Sequence, residues 1–161
     1  MNSYARSTEV SPERSRMEIE RLLMRFGAGQ FGYMTDQEHG RAHVIFTFQG
    51  LRVRVTVTLP TIEDVNRTPK GRIKKRERAT KDLEQEIKRR WRSVTLLVKS
   101  KLVAVADGVA TFEQEFLPYL VWGDGKTTAE RLEGRIGELA NTRNTARLLP
   151  LPEDVVEDEE G

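Results

Sequence analysis

Arg41-Ala42-His43-Val44-Ile45-Phe46-Thr47-Phe48-Gln49-Gly50-Leu51-Arg52-Val53-Arg54-Val55-Thr56-Val57-Thr58-Leu59-Pro60 decides the fold. Ala42, Val44, Phe46 and Phe48 recur every second residue, and so do Leu51, Val53, Val55, Val57 and Leu59. An extended chain turns successive side chains to opposite faces, so each run reads as a strand with one packed and one solvated face. Gly50 marks a tight turn, which pairs Arg41–Gln49 with Leu51–Leu59 as an antiparallel hairpin. Pro60 has no N–H to give to the ladder and closes the second strand. The polar side carries His43, Ile45 and Thr47 on one strand and Arg52, Arg54, Thr56 and Thr58 on the other.

Working outward, Gln30–Thr35 supplies a third strand, with Phe31 and Tyr33 on one face and a turn at Asp36–Gly40. Before it, Ser11-Pro12-Glu13 is a helix start: a capping hydroxyl, a proline whose N–H is not needed, and an acid in the first turn. Ile19, Leu22, Leu23 and Phe26 follow at helical spacing, and Gly27 is a stop, so the first helix covers about Pro12–Phe26. After the sheet, Leu83, Ile87, Trp91, Val94, Val98, Leu102 and Val105 recur every three or four residues. That stripe predicts a long amphipathic helix, capped by Thr80 and ended by Asp107-Gly108, with Leu96 and Leu97 widening its apolar face.

A half-apolar sheet and a striped helix bury each other, so the fold class is α+β: N-terminal helix, three-stranded meander, long central helix, small helical C-terminal part. In that last part Thr111–Leu117 reads as a short helix ended by Pro118, and Tyr119–Trp122 as a brief strand. Thr127–Glu130 fits a capping box, and Leu132, Ile136 and Leu139 carry a final helix interrupted by Gly134 and Gly137. Residues 1–150 are expected to form one domain, with 1–10 a flexible arm and 61–79 a mobile basic loop whose end can pass early into helix. Residues 151–161 are expected to be an acidic, disordered tail.

The 161 residues contain no cysteine, which excludes disulfides and thiolate metal sites. No apolar run approaches the roughly 18 residues of a membrane span. The N-terminus lacks a secretory leader's apolar core, so a cytoplasmic protein is expected.

Three motifs reduce to ordinary structure. Gly123-Asp124-Gly125-Lys126-Thr127-Thr128 resembles the end of a phosphate-binding loop, but Leu120 stands where the motif's first glycine belongs, leaving a turn and a helix cap. His39 and His43, with Asp36 and Glu38, would suit zinc on a helix, whereas here they fall in a turn and a strand, and no metal site is expected. No nucleophile elbow and no third group to orient either histidine is present, so neither a catalytic residue nor a cofactor is expected.

Charge is what remains. A net of only +2 hides a block, Lys70–Lys101, with 13 Lys/Arg against 4 Asp/Glu, and a tail with 6 acids and no base. Clustered cations are the electrostatic footprint of an anionic partner. Arg52 and Arg54 on the sheet, Lys74, Lys75 and Arg76 in the loop, and Lys88, Arg89, Arg90 and Arg92 on the helix are the candidate phosphate contacts, across a groove between sheet face and loop. Pairs such as Glu84–Lys88 and Glu86–Arg90 use up part of that surplus. Trp91 lies on the apolar stripe and reads as core rather than as a base-stacking platform.

Val10-Ser11-Pro12-Glu13-Arg14-Ser15-Arg16, Phe26-Gly27-Ala28, Arg90-Trp91-Arg92 and Phe112-Glu113-Gln114-Glu115-Phe116-Leu117 resemble a family of small uncharacterised phage and prophage proteins. The resemblance spans most of residues 4–125 and implies a mobile-element origin without importing an activity. The helix–meander–long-helix order is also similar, at fold level only, to the core of single-strand annealing recombinases, which carry single strands in a basic groove. The expected function is non-catalytic binding of nucleic acid, single-stranded DNA with little sequence preference, in phage DNA metabolism or recombination, with self-association compatible. The alternative is a phage interaction protein that binds a host or defence protein through its charged surfaces.

Overall fold

The computed structural model describes residues 11–36 and 38–137. The expected N-terminal arm, Leu139 and the acidic tail lie outside the described residues. Helix α1 (Pro12–Arg25) is followed by strands β1 (Gln30–Asp36), β2 (Arg41–Phe48) and β3 (Leu51–Thr58), a single-turn α2 (Ile62–Val65) and the long α3 (Arg76–Ala106). Two short helices, α4 (Phe112–Phe116) and α5 (Thr128–Leu132), complete the α+β fold, with a 3-10 turn at Leu117–Tyr119 between them.

The sheet is a meander in the order β1-β2-β3. Phe48 pairs with Leu51 around Gln49-Gly50, and both turn residues have positive φ (49° and 82°). That backbone is the two-residue hairpin turn whose twist matches the strands, and it explains a glycine at position 50. The register sends Val44, Phe46, Val53, Val55 and Val57 to one face, where they meet Trp91, Val94, Val98 and Leu102 of α3 and Ile19 and Leu23 of α1. Each such side chain taken from water contributes on the order of 1.5–3 kcal/mol before entropy is counted. Phe112 and Phe116 of α4 close the far end, stacked with centroids 4.6 Å apart and both edge-on to Phe46.

Helices α1 and α3 touch where a small residue allows it: Ser15 is fully buried and its carbonyl accepts from Thr95 Oγ1 at 3.3 Å. Trp91 is 5% exposed and packs edge-on to Tyr33, so it is core, as its place on the stripe predicts.

Ser11 caps α1 through its Oγ, and Asp107 ends α3 before Gly108, both where the sequence places them. Two boundaries differ. Residues 61–79 are irregular only at 66–75, where one isolated bridge joins Arg67 to Ile73 around a turn at Gly71; before them Thr61 is the N-cap of α2 and its N–H donates to Asp64. Helix α3 then begins at Arg76, a full turn before Thr80, whose hydroxyl donates back to Arg76 O instead of capping. The expected strand at Tyr119–Trp122 shrinks to single bridges, Val53 to Leu120 and Val121 to Thr127. Val121 N–H donates to Arg52 O at 2.8 Å, so this segment covers the outer edge of β3.

Candidate nucleic-acid interface

The nine candidate cations fall into three groups with different surroundings. Arg52 and Arg54 alternate away from the packed face, so the sheet itself stands between them and the cations of α3. Arg52 and Arg54 therefore do not share a surface with Lys88, Arg89, Arg90 and Arg92 of α3. Arg52 is exposed. Arg54 is tied to Glu130 at 2.5 Å, and that carboxylate also accepts from Thr127 N–H at 2.7 Å. These partners hold the Glu130 carboxyl below the usual range, the backbone donor of Thr127 counting most and Arg54 adding to it. The polar sheet face is also drier than alternation predicts: His43 is 9% exposed, with Nδ1 3.0 Å from Thr56 Oγ1. Burial pushes its pKa down, and the Arg54 charge pushes it further.

Along the middle of α3 the charges are largely engaged. Glu86 accepts from Arg89 Nε at 2.8 Å and from Arg90 Nε at 3.3 Å, and the Arg89 pair, the larger influence, holds its carboxyl low. Arg92 reaches 2.7 Å from Glu18 and fastens α3 to α1. Lys88 is half-buried and makes no ion pair among the described residues.

The third group is different. From Arg67 to Lys81 the hairpin and the first turns of α3 present Lys70, Arg72, Lys75, Arg76, Arg78 and Lys81, all exposed and none in an ion pair among the described residues. Lys74 is the exception inside this run. Its ammonium donates to Val65 O and to Asp82, each at 2.7 Å, and clamps the hairpin between α2 and α3. Thr68 N–H to Arg72 O and Lys74 N–H to Asn66 O, 2.8 and 2.7 Å, flank the single Arg67–Ile73 bridge. The cations are thus mounted on ordered backbone.

At the same end, Lys75 occupies the N-cap of α3 and offers no side-chain acceptor. The first N–H groups of the helix are left without a capping side chain, and the aligned peptide dipoles add partial positive charge there. Glu77 is the one acid in that first turn.

Of the nine residues named from the sequence, Lys75 and Arg76 belong to this cluster, and Arg52 and Lys88 stand apart from it. Lys70, Arg72, Arg78 and Lys81 were not among the nine. The density of charge from Lys70 onward was the signal that could have found them.

Gly123–Thr128 forms a turn and a cap: Asp124 accepts from Lys126 N–H, and Thr127 and Glu130 make the reciprocal capping box. Among the described residues no group of three or more His, Asp or Glu is placed to hold a metal. No helix among them is long and apolar enough to cross a membrane. Compared with family models, curated proteins and solved structures, the chain matches none.

Proposed function

We propose that this protein binds single-stranded DNA without catalysis and with little sequence preference, gripping phosphates with the hairpin and the start of α3, and serves phage DNA metabolism or recombination. The observation that carries the reading is the unpaired cation cluster Lys70, Arg72, Lys75, Arg76, Arg78 and Lys81 at an uncapped helix start. Lys and Arg neutralise phosphates and release counterions whatever the base sequence. The buried Trp91 supplies no stacking surface, which favours backbone contact over base readout.

Fluorescence anisotropy with labelled single-stranded and duplex oligonucleotides across a salt series tests this. Four phosphates neutralised on a single strand would lower affinity about 50-fold between about 50 and 200 mM salt. Lys75→Ala and Arg76→Ala should each flatten the slope by roughly 0.7, whereas Lys74→Ala should lower stability more than it flattens the slope. No binding to either oligonucleotide at the lowest salt ends this reading and leaves the protein-partner one.

A further inference from the structure

The two edges of the sheet are treated differently. Beyond β3 the chain's own Leu120 and Val121 bridge the edge. Beyond β1, among the described residues, nothing pairs. An open strand edge is a template for another strand, and proteins usually blunt it with lysine, proline or a bulge. Here Gly27–Thr35 contains no charged residue and no proline, and the β1–β2 register runs unbroken from Gln30 to Asp36.

The ladder shows which groups are free. Leu59 N–H donates to Gly40 O, and Phe48 and Leu51 close the hairpin, so even-numbered residues of β2 bond towards β3. The odd ones, Arg41 to Thr47, therefore bond to Asp36, Met34, Gly32 and Gln30 of β1. That leaves the N–H and C=O groups of Phe31, Tyr33 and Thr35 aimed outward.

On the open face, Gly32 sits opposite Ile45 with nothing within 4 Å of where a Cβ would stand. It floors a shallow depression lined by Gln30, Met34, Ile45, Thr47 and Arg52. Met34, two residues on, is 50% exposed.

We propose that the β1 edge pairs with the β1 edge of a second copy of this chain, antiparallel about a two-fold axis at Tyr33. Phe31 and Thr35 then exchange backbone hydrogen bonds, as do the two Tyr33 residues. Gly32 faces Met34 of the second copy as a non-bonded pair, the close kind at about 4.5 Å between Cα atoms. Each methionine fills the other's glycine gap. The charges agree: Asp36 of one copy comes beside the Gln30 amide of the other, a donor, and the two Asp36 side chains lie at opposite ends.

Gly27–Thr35 itself carries no cation, and Arg52, which lines the depression beside it, stands apart from the Lys70–Lys81 cluster, so the inference does not draw on that cluster. Seven residues a side is well short of the roughly 20–30 of a standard interface, so the dimer should be weak, with a dissociation constant of about 10 μM or higher.

Sedimentation equilibrium of the full chain from about 1 to 500 μM reads this directly. The wild type should pass from monomer to dimer over that range, and the Phe31, Tyr33 and Thr35 amides should exchange more slowly as concentration rises. Gly32→Val fills the gap in open space, and Thr35→Pro removes an outward N–H, a change that edge strands tolerate. Each should weaken dimerisation at least about tenfold, with the melting temperature held, because a matched pair of groups is lost. A monomer throughout, or a dimer that neither variant weakens, would overturn the proposal. So would slow exchange of those amides at every concentration, which would mean the chain itself covers the edge.

Discussion

At His43 a residue that alternation assigns to the solvated side is nearly enclosed, and the consequence is a pH dependence. Its folded pKa lies below the ordinary 6.5 because burial disfavours the imidazolium, with Arg54 and Arg41 adding repulsion and Asp36 and Glu130 opposing it. Unfolded chains then bind a proton that the folded protein refuses, so stability rises with pH across that interval. The contribution of neutral His43 is whole above the unfolded value and is lost as pH falls from 6.5 towards the folded one. Melting temperature should drop between about pH 7.5 and pH 5.5, and His43→Gln should flatten that drop. An unchanged pH profile in the variant would exclude this residue as the cause. Lys74 and Lys75 make the complementary point: neighbours identical in the sequence, one clamped on Val65 O and Asp82, the other exposed at a helix start. Nothing local distinguishes them, since the difference is made by an acceptor on a helix not yet packed.

Among the elements, those with a long apolar period were legible and the short ones less so. The stripe from Leu83 to Val105 placed α3, but its start was misplaced at Thr80 because the preceding turn, Arg76 to Ala79, holds only one apolar residue. Thr80→Ala should consequently leave stability within about 0.5 kcal/mol of wild type. Thr127, in contrast, was recognisable as a cap from the glutamate three residues on, and it is buried. Thr127→Ala should cost about 1–2 kcal/mol in urea unfolding, because the cap is lost and Glu130, which also holds Arg54, is freed. Equal effects from the two threonines would contradict these cap assignments. The strand expected at Tyr119–Trp122 survives only as bridges, since its pairing depends on where β3's edge comes to lie.

For the whole molecule, α1, all three strands, α3 and α4 share one apolar cluster, so they should unfold together. Far-UV circular dichroism and the fluorescence of Trp91 and Trp122 should give coincident urea midpoints, although Trp122 is 38% exposed against 5% for Trp91. Separate midpoints would mean the C-terminal helices melt on their own.

The fold class followed from the residues alone because side-chain period is local: two in a strand, 3.6 in a helix, and either can be counted along the chain. Which charges remain available was decided only by the tertiary structure. Arg92 is matched by Glu18 and Arg54 by Glu130, partners 74 and 76 positions away, and a long-range ion pair leaves no spacing to read. The same packing put the sheet between two sets of cations that looked like one surface. It left Lys70, Arg72, Lys75, Arg76, Arg78 and Lys81 exposed and outside any ion pair among the described residues.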